Sequence, residues 1–336
     1  MKEKEKKMEK KRKNRLFYLL LLLFITSISL SVSSYAWFTS NRLVKVDLLN
    51  VSVKAQGGIE ISVDGSNWKS SVSADDITKA RENYPSSVNQ IPNVLEPVSS
   101  VMDIDNGKVK LFYGVALNNS DGDYVLDTTR SIEEESFGNE SSGKFVTFDL
   151  FLKVNKDTDL YLTPESNVTY GGDTSFGIEN AVRFAFVLEG STFTGSPLNV
   201  IQGLSTNDRN DVYTWEPNYD VHTANGVSNA RDIYGINIGT TSDKLDYDGV
   251  ASEFGKDKNV TINKATSKYY PEYFGNAKID FYTTSGFNNN VKMFNIKNGI
   301  SKIRVYMWIE GQDVDCENNA SIGNVALSLQ FSSNPS

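Results

Sequence analysis

The feature that most constrains the fold is a repeated alternation of apolar and polar residues along short segments. Every second residue is apolar within 145–154, and the pattern recurs within 181–189 and 303–310. A period of two places alternate side chains on opposite faces of a strand, whereas a helix needs a period of about 3.6. The pattern therefore predicts antiparallel sheets with one apolar face in the core and one polar face in water. The predicted inward residues are Val146, Phe148, Leu150, Leu152, Val154, Val182, Phe184, Phe186, Leu188, Ile303, Val305, Met307 and Ile309.

Clusters rich in Gly, Asn, Asp and Ser separate the alternating segments and predict turns between strands. Asp-Gly at 64–65 and at 121–122 is a hairpin-turn sequence, because both residue types tolerate positive φ. Short helices are predicted at 74–83 and 131–136. Residues 199–276 alternate weakly and predict long loops with short strands. Together these features predict an all-β fold with long loop insertions, as one large domain or two smaller ones.

The N-terminus carries the pattern of an export signal. Residues 1–15 contain nine basic and three acidic residues, and residues 16–36 are uncharged and begin with a Leu-rich run. A basic segment, an apolar segment and a small-x-small end are typical of a secretory signal. We therefore predict an N-terminal signal helix, with Ser34 and Ala36 before the cleaved bond and Trp37 after it. An uncleaved signal anchor is the alternative, and in both cases the rest of the chain lies outside the cytoplasm.

The body that follows the signal is acidic and poor in the residues that build catalytic sites. It holds 25 basic and 39 acidic residues, and the whole chain has one His and one Cys. Nucleic-acid binding is disfavoured, because phosphate backbones repel so acidic a surface. One His excludes sites that need two or three His ligands, including those of the common zinc hydrolases. One Cys excludes an intrachain disulfide.

His222 is the side chain most suited to general base catalysis, but its neighbours in the sequence offer few partners. Asp220 lies two residues away, and no nucleophile motif such as Gly-x-Ser-x-Gly accompanies the pair. We therefore expect a loop His that packs on Trp215 or hydrogen-bonds to the backbone.

Carboxylates are concentrated after the 303–310 strand. Asp313, Asp315 and Glu317 alternate there and resemble the oxygen ligands of a calcium site, although the spacing does not match an EF-hand loop. A solvated turn is the alternative interpretation. The sequence at 103–107 leaves a similar choice between a hairpin turn and a weak cation site.

The single thiol and the loop aromatics are further candidates. Cys316 is expected to be a buried or unpaired thiol, with an intermolecular disulfide as the sharper alternative. Aromatic residues in the loop-rich segment offer a platform for a sugar or a protein partner, or else they pack in the core. These aromatics are Trp215, Tyr219, Tyr269, Tyr270, Tyr273 and Phe274.

Several stretches resemble a known family. The sequence at 34–41, Ser-Tyr-Ala-Trp-Phe-Thr-Ser-Asn, resembles signals cleaved by the SipW-type signal peptidase of Gram-positive bacteria. The segments 148–153, 159–162 and 181–186 are similar to inner strands of TasA/camelysin-like secreted proteins. The segment 305–316 resembles a late segment of larger surface proteins with the same kind of signal. The resemblance covers the signal and about half of the body.

This resemblance implies a jelly-roll-like antiparallel β-sandwich that assembles into fibres of the cell surface or biofilm matrix. In the TasA type, the mature N-terminal segment adds as a strand to a neighbouring subunit. Here that segment is 37–49, in which Val44, Val46 and Leu48 alternate with polar residues and suit strand addition. Residues 190–290 have no counterpart in the family and are expected to form a loop-rich insertion or a second lobe.

These observations predict an exported structural protein and not an enzyme, with no catalytic residue, cofactor or metal. The predicted domains are a signal peptide at 1–36, a possible donor strand at 37–49 and a β-sandwich at 50–336. The expected partners are further copies of the chain and the signal peptidase, with membrane contact only through the N-terminal segment before cleavage. A surface adhesin or carbohydrate-binding domain is one alternative. A secreted camelysin-type metallopeptidase is the other, which the lack of a His pair disfavours.

Overall fold

The computed structural model describes most of the body of the chain. The described residues are 18, 44–45, 52–118, 124–131, 143–171, 177–232, 260–262, 279–283, 288–311, 313–316 and 325–335. The predicted cleavage residues Ser34, Ala36 and Trp37 lie outside them, as do the donor-strand residues Val46 and Leu48. Within these ranges, no helix has the length and apolar character needed to cross a membrane.

Strands dominate the described residues, so the fold is all-β with few helices. The strands are β1 (Val44–Lys45), β2 (Ser52–Ala55), β3 (Glu60–Ser62), β4 (Ser71–Ser73), β5 (Val94–Leu95), β6 (Ser99–Asp105), β7 (Lys108–Asn118), β8 (Tyr124–Ser131), β9 (Val146–Val154), β10 (Thr158–Leu162), β11 (Asn167–Tyr170), β12 (Val182–Thr192), β13 (Val212–Glu216), β14 (Val260–Ile262), β15 (Phe281–Tyr282), β16 (Val291–Ile296), β17 (Gly299–Ile309) and β18 (Val325–Ser332). The α-helices are α1 (Ala74–Lys79), α2 (Leu198–Gln202) and α3 (Ala224–Asp232).

Two six-stranded sheets pack face to face. The first has the order β16-β10-β18-β2-β4, with β11 also paired to β18, and the second has the order β15-β13-β12-β17-β9-β3. Most neighbouring strands are antiparallel, but β18 pairs with β2, and β13 with β15, in parallel. A third sheet has the order β14-β8-β7-β6, and β1 forms a separate two-stranded sheet with β5.

The core between the two large sheets is built from the predicted inward residues. The alternating positions of β9, β12 and β17 lie in one cluster with the apolar residues of β10 and β18. Phe186 of β12 meets Phe331 of β18 edge-on, with ring centroids 6.0 Å apart. Burial of each large apolar side chain contributes about 1.5–3 kcal/mol. The inward face that the alternation predicted is therefore confirmed.

The opposite face of the second sheet is not in water, so the prediction of a solvated polar face is wrong here. All 11 residues of β17 are buried. Tyr306 and Trp308 pack with Val187 of β12 against Val98 and Leu111. The third sheet and the chain leading into it thus form an extra layer over this face. Charged residues at its outward positions are consequently buried and need partners inside the protein.

Helix α1 confirms the helix predicted at 74–83, and its start follows from its sequence. The Ser73 hydroxyl accepts from the backbone N–H of Asp76, whose carboxylate accepts from the backbone N–H of Ser73. This reciprocal pair is a capping box, which satisfies two backbone donors at the helix start. A 3₁₀ turn at Ala80–Glu82 extends the helix. In the second predicted helix, Ser131 ends β8 and the rest lies outside the described residues.

The turn predicted at 103–107 joins β6 to β7. Asn106 and Gly107 both have positive φ, 50° and 70°, and Asp105 pairs with Lys108. Two consecutive positive φ values suit a two-residue hairpin, which favours Asn-Gly. The hairpin interpretation of this segment is confirmed.

The described part of 190–290 contains sheet strands as well as loops. Strand β13 pairs with β12 in register, with Phe184 opposite Trp215, and β15 pairs with β13. Helix α2 lies between β12 and β13, and helix α3 follows β13. Strands β13 and β15 of this segment therefore complete one side of the second sheet, with β15 as its edge strand.

Candidate functional site

Titratable side chains meet at one end of the second sheet, where β12 begins and both β13 and β17 end. Arg183 is the second residue of β12, and Glu216 is the last residue of β13. His222 follows β13, and Asp313 and Asp315 follow β17. We call these five residues the strand-end cluster. The antiparallel order of the sheet brings them together from distant parts of the sequence.

Arg183 forms ion pairs with two carboxylates in this cluster. Its Nη2 atom lies 2.7 Å from Glu216 Oε1 and 2.5 Å from Asp313 Oδ2. Its Nη1 atom donates to the backbone carbonyls of Asn180 and Val182. The guanidinium is buried, and a buried charge is tolerated only when it is paired and hydrogen-bonded. Arg183 therefore fixes the chain after β17 against the start of β12.

His222 is held by Asp315. The Nδ1 atom of His222 lies 2.8 Å from Asp315 Oδ2, while Asp315 Oδ1 accepts from the backbone N–H and the hydroxyl of Thr223. The backbone N–H of Asp315 donates to Asp313 Oδ1. Burial raises the pKa of Asp315, and the hydrogen bond from His222 opposes that rise. The imidazole ring is thus fixed in orientation at a buried carboxylate.

Glycine allows the start of helix α3 to approach this carboxylate. A Cβ at Gly226 would overlap Asp315 Oδ1, and a Cβ at Gly177 would crowd Thr223. The backbone N–H of Gly226 donates to the Thr223 hydroxyl at 2.9 Å, so Thr223 caps the helix. Asp315 therefore also supplies the negative charge that the partial positive charge at the start of α3 favours.

A surface cleft of about 400 Å³ opens beside the cluster, lined by Glu179, Asn180, Val221, His222, Thr223, Ala224 and Asn225. A His–carboxylate pair can orient a general base, but acyl transfer also needs an activated nucleophile. The Thr223 hydroxyl at this cleft is already bonded to both Asp315 and Gly226. The arrangement therefore supports binding more directly than covalent catalysis.

The expectation of a solvated turn at 313–317 is wrong for the two residues that the structure describes. Asp313 and Asp315 are 3% and 0% exposed, because each serves as the partner of a buried cation or ring. Glu317 lies outside the described residues. In the described ranges, no three His, Cys, Asp or Glu side chains are grouped so that they could hold a metal ion.

The structure gives His222 a partner that the sequence did not predict, because its side chain pairs with Asp315, 93 residues away. Trp215 is fully buried, stacks on Phe184 at 4.8 Å and donates from Nε1 to the Thr283 hydroxyl. Tyr219 is buried as well, so neither ring offers a surface platform. The other loop aromatics, Tyr269, Tyr270, Tyr273 and Phe274, lie outside the described residues.

The predicted burial of the thiol is confirmed, since Cys316 is 4% exposed. The predicted donor-strand residue Val44 lies in β1, opposite Leu95 of β5 in the same chain. Lys45 is opposite Val94 in the same antiparallel pair.

A second set of charges, which the sequence did not predict, lies on the covered face of the second sheet. We call Tyr84, Asp149, Glu189, Lys302 and Arg304 the mid-sheet cluster. Arg304 Nε and Nη2 donate to the two oxygens of Asp149 at 2.7 and 3.2 Å, and the Tyr84 hydroxyl donates to Asp149 at 2.8 Å. Lys302 Nζ lies 3.3 Å from Asp149 and donates to the carbonyls of Gln202 and Leu204.

The carboxylates of the mid-sheet cluster respond to burial in opposite ways. Burial pushes the pKa of Asp149 upward, but Arg304 and Lys302 outweigh that effect and hold it at about 2. Burial raises the pKa of Glu189 to about 7, against the attraction of Arg304 at 3.2 Å. The sequence signal for this cluster was the presence of charged residues at alternate positions of strands that are otherwise apolar on both faces.

No protein-family model matches the chain, and no curated protein or solved structure matches it. The class that the fold itself defines is an all-β protein with two facing sheets and two clusters of buried charges.

Proposed function

We propose that this chain is an exported structural protein of the bacterial cell surface or biofilm matrix, which assembles into fibres by donating its N-terminal strand. The observation that carries the proposal is the pairing of β1 with β5. Two residues of the 37–49 segment already adopt strand geometry, with Val44 opposite Leu95. So short an intrachain ladder is replaceable by the same segment of a neighbour, which is the mode of β-augmentation.

The strand order supports a jelly-roll form of the sandwich. In a jelly roll of eight strands, one sheet has the order first, eighth, third, sixth, and the other has second, seventh, fourth, fifth. Strands β2-β18-β10-β16 and β9-β17-β12-β13 follow that order when these eight are counted along the chain. The parallel pairing of β2 with β18 departs from the all-antiparallel form. The other described strands are additions to this frame.

The burial of charged and aromatic groups favours a structural role over the alternatives. The charged side chains of both clusters are used in ion pairs that join strands, as in Arg183 with Asp313 and Arg304 with Asp149. The adhesin alternative relied partly on Trp215 and Tyr219, which are buried. The predicted export signal, the acidic body and the resemblance to the TasA type support assembly into fibres.

Electron microscopy of the purified protein tests this proposal. We expect filaments from protein that begins at Trp37 and none after deletion of residues 37–49. As a matched pair, Val44→Asp combined with Leu48→Asp should abolish filaments, because the apolar face of the donated strand is lost. Asp47→Ser changes the other face and should leave filaments intact. Undiminished filaments from the deleted chain would contradict strand donation.

A further inference from the structure

The cleft beside the strand-end cluster presents a buried carboxylate oxygen for which the described residues supply no hydrogen-bond partner. Its volume of about 400 Å³ suits a ligand of sugar or amino-acid size. His222 and Thr223 on its wall are fixed by Asp315. The wall is therefore preorganised, which lowers the entropic cost of binding.

Asn180 is the first polar residue on the wall of this cleft. The residue is 5% exposed and lines the cleft. Its backbone N–H donates to Gly177 and its carbonyl accepts from Arg183, but its side-chain amide makes no hydrogen bond to any described residue. The amide lines the cleft and is therefore placed to hydrogen-bond to a ligand there.

Glu179 is a residue of the cleft wall with an unsatisfied polar atom. Its Oε2 atom is buried and has no hydrogen-bond partner in the described part of the chain. Burial raises the pKa of Glu179, and the nearby charge of Asp315 adds to that rise. The other carboxylates have partners, since Asp313 pairs with Arg183 and Asp315 with His222. Within the described residues, Glu179 has no ion pair.

We propose that this cleft binds a small ligand through a primary ammonium group, which donates to Glu179 while Asn180 hydrogen-bonds to a neighbouring polar atom of the ligand. Amino sugars and the side chain of lysine share this chemistry. The site lies away from β1 and uses no residue of 37–49. It is therefore a binding function separate from fibre assembly, and either proposal can fail without the other.

Isothermal titration calorimetry at neutral pH and low salt tests the site with three probes. Glucosamine represents an amino sugar, N-acetylglucosamine is the same sugar without the charge, and N-acetyl-lysine amide with a free side-chain amine represents a lysine side chain. We expect saturable binding of at least one amine, and binding of N-acetylglucosamine weaker by about tenfold or more, because hydrogen bonds between charged groups are the strong ones. The stronger amine identifies the source. Equal binding of both sugars, or no binding of either amine, would overturn the proposal.

Variants locate the binding to the cleft. Glu179→Gln keeps the shape and removes the charge, so we expect it to weaken amine binding by about tenfold or more. Glu82→Gln, at an exposed position of the 3₁₀ turn after α1, is the matched control and should bind like the parent. Unchanged binding by a folded Glu179→Gln variant would overturn the assignment. Because that variant could fail to fold, the comparison of glucosamine with N-acetylglucosamine on the parent protein carries the test by itself. Equal measurable affinity for the two sugars would overturn the assignment.

Discussion

Replacement of Asp149 by Asn tests whether the mid-sheet cluster is a balanced set of buried charges. Asp149 is fully buried, accepts two hydrogen bonds from Arg304 and lies 3.3 Å from Lys302 Nζ. Asn has almost the same size and can accept hydrogen bonds, but it cannot neutralise either cation. Within the mid-sheet cluster, the Glu189 carboxylate would then be left to balance the two buried positive charges of Lys302 and Arg304.

The expected loss is large because one partner of a buried ion pair is removed. Such changes cost about 3–5 kcal/mol, a considerable fraction of the roughly 5–15 kcal/mol that stabilises a typical domain. Urea unfolding followed by tryptophan fluorescence measures the loss. Asp159→Asn is the matched control, because Asp159 pairs with Lys292 at the surface at 2.8 Å. An exposed pair contributes about 0–1 kcal/mol.

The pH dependence gives an independent check on Asp149. Its pKa is about 2 in the folded protein and 3.8 in the reference state, so the ionised form is favoured by folding. This contribution is present above pH 4 and is lost as pH falls through about 2, for a total of about 2 kcal/mol. The Asn variant should lack this acid-dependent part. A stability loss below about 1 kcal/mol, equal to that of Asp159→Asn, would refute the argument.

The other predictions concern packing and a buried acid. Gly107→Ala should lose about 1–3 kcal/mol more than Gly58→Ala, because both glycines have positive φ but only a Cβ at Gly107 meets the Glu189 carboxylate; equal losses in urea unfolding would contradict that contact. Trp215→Ala should cost about 3–5 kcal/mol, whereas Phe193→Ala, at an 82% exposed position, should change stability by less than about 0.5 kcal/mol; a mild Trp215 variant would show that the ring is not in the core. The raised pKa of Glu189, about 7 against 4.5, means that its folded form holds the proton more tightly, so its contribution falls by up to about 3 kcal/mol between pH 4.5 and 7. Glu189→Gln should remove that slope from stability measured across this pH range, and an unchanged slope would contradict the assignment.

The alternation in the sequence predicted the inner face of the sandwich well, because burial there is set by a local period of two. Phe148, Phe186 and Val305 are all in the core as expected. The same pattern could not reveal the third layer, since a polar residue at an outward position looks the same whether it faces water or a buried partner. Tyr306 and Trp308 at outward positions of β17 were the available signal that this face is covered.

The strand-end cluster was beyond local reasoning for a different reason. His222 and Asp315 are 93 residues apart in the chain and meet only because β13 and β17 finish at the same end of one sheet. Helix α3 was also missed, because its sequence contains Gly226 and several Asn and Ser residues of low helix propensity. The capping residue Thr223 is itself hydrogen-bonded to Asp315. This tertiary contact compensates for the weak helix propensity of the α3 sequence.

Site-directed cross-linking tests the central claim of strand donation most directly. Lys45 and Val94 are opposite each other in the β1–β5 pair, and side chains at such positions lie about 4.5–5.5 Å apart at Cβ. Chains with Lys45→Cys are mixed with chains carrying Val94→Cys and oxidised under conditions of fibre formation, with the buried Cys316 present in both. Strand donation predicts covalent dimers that contain one chain of each kind. Absence of these mixed dimers, while a chain with both substitutions forms the disulfide within itself, would contradict the account.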